Sequence, residues 1–321
     1  MGGVRVGDGR WVEVWDGGAA GGTPVVFLPG CPDTRRAAYT GDEAARRLGV
    51  RLVGINRPGY GRSTSHSSTY GSVADDVVAV ADGLGIDRFA VVGMSIGGPY
   101  AIACAARHPD RVSALGVLAS PANVPALDPP YHRDDLDADQ QSFFRQLARI
   151  SPEQAVEQLR PDFLAYVAQL SPTDVDDAVL VRRFLAELDP HDAEALRQAT
   201  GEVDGQRLGS DEAIAAAVRE ALVNPDGYLR DAAISFRSWD FRPDDVRCPT
   251  HLWYGELDAN ASVRNGRWLA DHIPGAKLVV HPRTTHLAVL LKHWPTVLST
   301  LVQSAEPARA ENQVRRGRAA G

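Results

Sequence analysis

The sequence predicts an α/β fold: a mostly parallel central sheet flanked by helices, with a helical insertion. Three observations predict it. Apolar, β-branched runs alternate with helical stretches early in the chain, the pattern of parallel strands joined by helical crossovers. The alternation stops between Ala122 and Trp239 and then resumes. Finally, Gly93-Met94-Ser95-Ile96-Gly97 sits between a strand-like run and an alanine-rich helical one, so its serine falls in a strand-to-helix turn.

In order along the chain, Val4-Arg5-Val6 and Trp11–Trp15, around Gly7-Asp8-Gly9, predict a hairpin. Val25–Leu28, Leu52–Ile55, Ala90–Val92 and Ala114–Leu118 read as strands, with helices expected near Thr34–Leu48, Val73–Leu84 and Ile96–Arg107. From Ala122 to Trp239 strand signals nearly vanish. Helix starts appear instead at Ser151-Pro152-Glu153, Ser171-Pro172-Thr173 and Asn224-Pro225-Asp226. Thr250–Tyr254 and Lys277–Val280 restore the strand pattern. The expected division is a sheet domain from 1–121 and 240–302, a helical cap over 122–239, and a tail over 303–321. That tail carries Arg309, Arg315, Arg316 and Arg318 among alanine and glycine, lacks periodicity and is expected to be disordered.

Composition narrows the function. The chain has 321 residues, 44% of them apolar and 23% charged, as in an ordinary globular protein. A net charge of −7 argues against nucleic acid or an anionic membrane as partner, and no apolar run approaches a bilayer span. The N-terminal residues lack a signal-peptide core, and the three cysteines, Cys31, Cys104 and Cys248, are odd in number and scattered. A cytoplasmic location and a small-molecule partner are the expectation. Neither His/Cys/Asp spacing for a metal nor a phosphate-binding G-K-[ST] loop is present, so no metal or cofactor is expected. Oligomeric state is left open.

A serine in so sharp a turn takes strained backbone geometry and needs small residues two before and two after it, here Gly93 and Gly97. Its hydroxyl then stands above the carboxyl edge of the sheet, beside the N-terminus of the following helix, whose positive end suits a developing oxyanion. With Asn56-Arg57-Pro58-Gly59-Tyr60-Gly61-Arg62-Ser63 and Ala106–Val112, this turn makes the chain resemble the α/β-hydrolase fold family from about Trp11 to Leu301, more weakly in the middle third.

The resemblance implies a base and an acid for Ser95, because a serine hydroxyl is a poor nucleophile until a neighbour takes its proton. His286, a few residues past the last strand, falls where the family places its base; His281, His293, His108 and His251 fit packing or solvent exposure better. Asp258 follows the preceding strand and matches the family's acid, with Glu256 as nearest rival and Asp271 read as a solvated helix residue. The order Ser95, Asp258, His286 is the one this fold uses. The oxyanion hole implied by the resemblance combines the backbone N–H of Ile96 with that of Cys31 in Leu28-Pro29-Gly30-Cys31-Pro32.

This sequence departs from the family's pattern at Pro29, where histidine is usual, at Asn56, where aspartate is common, and at Ala259-Asn260-Ala261 after the acid. The implied activity is a serine hydrolase of an ester, thioester or lactone working through an acyl-enzyme. A lyase or cyclase on the same fold, or a ligand-binding protein without catalysis, are the alternatives. Phe143, Phe144, Phe163, Tyr166, Phe184, Tyr228 and Phe236 in the insertion, with no dense Arg/Lys cluster, point to a small to medium, largely apolar substrate in a closed pocket.

Overall fold

The computed structural model describes residues 2–305. Strands β1 (Gly2–Arg5), β2 (Trp11–Gly18), β3 (Thr23–Leu28), β4 (Val50–Ile55), β5 (Phe89–Met94), β6 (Val112–Leu118), β9 (Thr250–Gly255) and β10 (Lys277–His281) form one sheet in the order β1-β2-β4-β3-β5-β6-β9-β10. Only the hairpin edge is antiparallel, where β2 pairs β1 and β4; every pairing from β4 to β10 is parallel.

The central strands are buried on both faces, as the residue alternation along them requires. Val26, Leu28 and Val91 face helices α2 (Tyr70–Gly83) and α3 (Gly97–Arg107). Val25, Phe27, Ala90 and Val92 face the opposite layer, where Trp294, Val297, Leu298 and Leu301 of the helical stretch 294–305 pack with α1 (Asp42–Arg47). That stretch carries the chain past Gln303 in helical form; the disorder expected for the rest of the tail concerns residues outside those described.

Between β6 and β9 stand α4 (Ala138–Leu147), α5 (Pro152–Leu170), α6 (Asp177–Ala186), α7 (Pro190–Arg197), α8 (Asp211–Leu222) and α9 (Pro225–Ser235). They enclose an apolar cluster of their own, centred on Phe163, Leu180 and Leu229. Two expectations need correction. The helix predicted over Thr34–Leu48 is a 3-10 turn, Arg35–Gly41, followed by the short α1. Arg35 N–H is drawn off to Asn56 Oδ1 at 2.6 Å, and Gly41 lies flat on Trp294, where a Cβ would sit 2.7 Å from the ring. Nor does Ser171-Pro172 start a helix. Asp174 is left-handed at φ 64°, and α6 begins only after its own cap, Asp176. The insertion also contains a strand pair with no predicted counterpart, β7 (Glu202–Val203) with β8 (Gln206–Arg207), turning through Asp204-Gly205. Among the described residues no helix is long and apolar enough to cross a membrane.

Candidate active site

Ser95 occupies the turn between β5 and α3 with φ 52°, a left-handed conformation that a serine holds only under constraint from its surroundings. The constraint is visible. Ser95 N–H bonds Leu118 O at 2.8 Å, and its carbonyl accepts from Gly98 N at 2.9 Å. A Cβ on Gly93 would lie 2.3 Å from Gly97 O, and one on Gly97 would lie 2.1 Å from Leu28 O. Only glycine lets the elbow close this tightly against β3.

The loop after β9 presents Asp258, and the loop after β10 presents His286. The two loops are joined by their backbones, Glu256 N to His281 O at 3.0 Å and Leu257 N to Thr284 O at 3.0 Å. Asp258 is 5% exposed. Its Oδ2 lies 2.8 Å from His286 Nδ1, and its Oδ1 accepts from Asn260 N and Ala261 N at 2.8 and 2.9 Å. The Ala259-Asn260-Ala261 departure therefore keeps the acid's backbone donors. Burial alone would lower the His286 pKa; the Asp258 carboxylate, with Asp192 behind it, outweighs burial and holds it above the usual histidine value. Glu256, the rival acid, is exposed and accepts from Arg283 N at 3.0 Å. Asp271 is exposed on α10 (Val263–His272), as expected.

Ser95 and His286 line the same cavity, of about 690 Å³, beneath the helical insertion. Among the described residues no hydrogen bond joins them directly; bonds between a nucleophile and its base commonly tighten when substrate binds. The walls are mainly apolar. Phe143, Phe144 and Phe236 form one side, Tyr166, Phe184 and Tyr228 another, whereas Phe163 packs inside the insertion's own cluster and stacks on Tyr228 at 4.3 Å. His132 also lines the cavity, against Phe236. Burial, with the neighbouring Arg133 charge, lowers its pKa to about 4, which keeps its imidazole neutral.

Cys31 and Ile96 stand on the cavity wall beside Ser95, and Gly30 approaches it so closely that a Cβ there would lie 3.2 Å from the Ser95 Cβ. The absence of a histidine at position 29 has a structural answer. The buried Arg57 guanidinium donates to Pro29 O, and to Gly30 O at 2.8 Å, and so fixes the loop from behind. Arg57 is held by Asp231 of α9, Nη2 to Oδ2 at 2.5 Å; Tyr60 and Tyr100 hydroxyls donate to the same carboxylate at 2.7 and 2.6 Å. Burial, with Asp231 nearby, pushes the Cys31 thiol pKa up, so the thiolate form of a reactive cysteine is disfavoured.

Asn56 is explained in the same way. Its Nδ2 donates to Glu13 Oε2 at 3.0 Å and to Glu220 Oε1 at 3.1 Å, so the usual aspartate would set a further negative charge against two carboxylates. Arg57, Asp231 and Glu220 are among the residues whose roles are not legible in the sequence. Arg57 lies in the Asn56–Ser63 stretch with no role legible there, and the two acids carry no local signal, because their partners lie far away in the chain.

The profile of the family described as "alpha/beta hydrolase fold" matches residues 23–292. A pimeloyl-[acyl-carrier protein] methyl ester esterase from Chromobacterium violaceum is 28% identical over 274 residues, 84% of this chain and 88% of that protein. Among solved structures, the enol-lactonase from Burkholderia xenovorans LB400 superposes with a TM-score of 0.64 at 18% identity, over 94% of this chain and all of the other. The esterase from Exiguobacterium antarcticum gives 0.62 at 20% identity, over 95% and 100%.

Proposed function

The chain belongs to the alpha/beta hydrolase fold family, and on that premise we propose that it is a serine hydrolase of a small to medium, largely apolar ester, thioester or lactone. Ser95 attacks the carbonyl carbon while His286 takes its proton and passes it to the leaving group. Asp258 holds the ring by its Nδ1 and stabilises the imidazolium. The Cys31 and Ile96 N–H groups receive the oxyanion; among the described residues neither is bonded to a protein acceptor. Water activated by the same histidine then releases the acyl group.

The observation that carries this reading is the shared cavity wall. A strained elbow serine and a histidine already bonded to a buried aspartate face one apolar space. The helices from α4 to α9 act in it as a cap over the serine. The names of the Chromobacterium methyl ester esterase and the Burkholderia enol-lactonase are consistent with it. Turnover of p-nitrophenyl butyrate tests it. Ser95→Ala is expected to fold normally and to lose about 10³-fold or more in kcat. A variant retaining more than about a tenth of the wild-type rate would remove serine catalysis from the account.

A further inference from the structure

His286 is held at its ring by Asp258, and the residues on either side of it are held by Asp192, from the helices between β6 and β9. Asp192 lies in the first turn of α7 and is 3% exposed. Its Oδ1 accepts from Leu287 N at 2.9 Å, from Ala288 N at 2.9 Å and from the Thr285 hydroxyl. Those donors stand on both sides of His286. The two N–H groups open the short helix α11 (Ala288–Leu291), and without Asp192 they would be buried lacking an acceptor.

Among the described residues, Asp192 is the acceptor bonded to Leu287 N and Ala288 N. Two hydrogen bonds among the described residues join the Thr284–Leu287 stretch to the acid loop, His286 Nδ1 to Asp258 Oδ2 and Leu257 N to Thr284 O. The other carboxylates on the same part of the cavity wall are engaged elsewhere. Asp189 caps α7 through His191 N, and Glu187 accepts from the Tyr166 hydroxyl. Among these three carboxylates, Asp192 is the one bonded to the histidine loop.

We infer that Asp192 is a positioning residue for His286: the helical insertion supplies the acceptor that sets where the catalytic base stands, so the triad is complete only when the insertion is seated. This rests on the serine-hydrolase reading above. A 1 Å displacement of a catalytic group costs about 10²-fold in rate, so a loop released at three donors has a kinetic signature. The carboxylate also acts at a distance. The charged and titratable groups around His286 are Asp258 at its Nδ1, Asp192 from α7, and His132, which Arg133 and Arg264 help to keep neutral. Removing the Asp192 charge makes the imidazolium less favourable.

The test compares Asp192→Ala and Asp192→Asn with wild type on p-nitrophenyl butyrate, with rates expressed per active site and folding checked by thermal melts. Asp192→Ala is expected to lose about 10- to 100-fold in kcat with KM changed by less than about threefold. Asn keeps one acceptor oxygen but no charge, so Asp192→Asn recovers most of kcat while the acid limb of kcat/KM moves to lower pH. Should Asp192→Ala not fold, Asp192→Asn decides through that limb. Rates per active site and an acid limb equal to wild type would reduce Asp192 to an ordinary docking contact and overturn the inference. Wild-type protein inactive on every ester would instead remove the hydrolase reading. The positioning claim is then read directly from the NMR titration of the His286 ring, whose midpoint falls in Asp192→Asn if the claim holds and is unchanged if it does not.

Discussion

The sheet domain and the helical insertion are held together by different physics. Every residue of β5 and β6 is buried, and both faces of the sheet are closed by apolar layers. In the insertion, α4 buries only Leu147 and the 19 residues of α5 bury only Ala155, Phe163 and Leu170. What ties it to the sheet domain includes a few carboxylates: buried Asp192 on the histidine loop, buried Asp231 on Arg57, and half-buried Glu220 on Arg35, Arg36 and Asn56. Area-proportional apolar burial makes the first region tolerant of small adjustments. Buried charges make the second depend on single atoms, since an unpaired buried ion costs several kcal/mol.

The largest effect should therefore come from Asp231. Asp231→Ala strands the Arg57 guanidinium and two tyrosine hydroxyls, and is expected to cost about 3–5 kcal/mol of stability. It should also lower ester turnover in the molecules that remain folded, because Arg57 loses the partner that aims it at Pro29 O and Gly30 O. Leu180→Ala sharpens the contrast. It opens a cavity in the insertion's own cluster at a cost of about 2–5 kcal/mol, yet should leave turnover per folded molecule unchanged. Urea melts read beside active-site-normalised rates separate the two; equal kinetic losses would mean that the insertion acts only through overall stability.

A smaller effect concerns what the cavity selects. Across p-nitrophenyl esters from acetate to dodecanoate, each buried CH₂ is worth about 0.8 kcal/mol, so kcat/KM should climb a few-fold per carbon until the cavity is filled. Replacing Phe144, which stacks on Phe236 at 4.2 Å, by alanine should flatten that climb. A flat profile in the wild type would show that these rings do not select substrate.

The smallest effect is in pH dependence. Asp33 lines the cavity beside Cys31, and burial, against the opposing Thr34 N–H, pushes its carboxyl up to about 7. A carboxyl whose folded pKa is raised favours the fold while protonated, and that contribution is lost as pH rises from its unfolded pKa, about 3.9, toward 7. Asp33→Asn should consequently gain stability over wild type as pH rises through that window, and gain none at pH 3. Parallel thermal melts at pH 3, 5 and 7.5 give the answer; a constant difference would place Asp33 in water.

The same contrast explains what the sequence could disclose. The strands announced themselves because burial on two faces demands unbroken apolar runs, and the elbow because its glycines are forced by atoms within 2.3 Å. Asp258 and His286 were implied by the family resemblance, which expects an acid and a base after successive strands. Asp192 looked like an ordinary acidic residue in a helix's first turn, and its partners lie 93 to 96 residues away. Asp231 likewise sits mid-helix, 174 residues from Arg57. Local pattern encodes which segments are strands or helices. It does not encode which carboxylate bonds a segment distant in the chain, because that depends on how the helices between β6 and β9 seat.

The most direct measurement is covalent capture with a fluorophosphonate followed by peptide mass mapping, on wild type and on His286→Ala. One adduct, on the peptide bearing Ser95, is expected in the wild type. In His286→Ala labelling is expected to slow by about 10³-fold or more, since serine and base act as a unit. An adduct on another residue, or wild-type labelling as slow as that of His286→Ala, would contradict serine catalysis at Ser95.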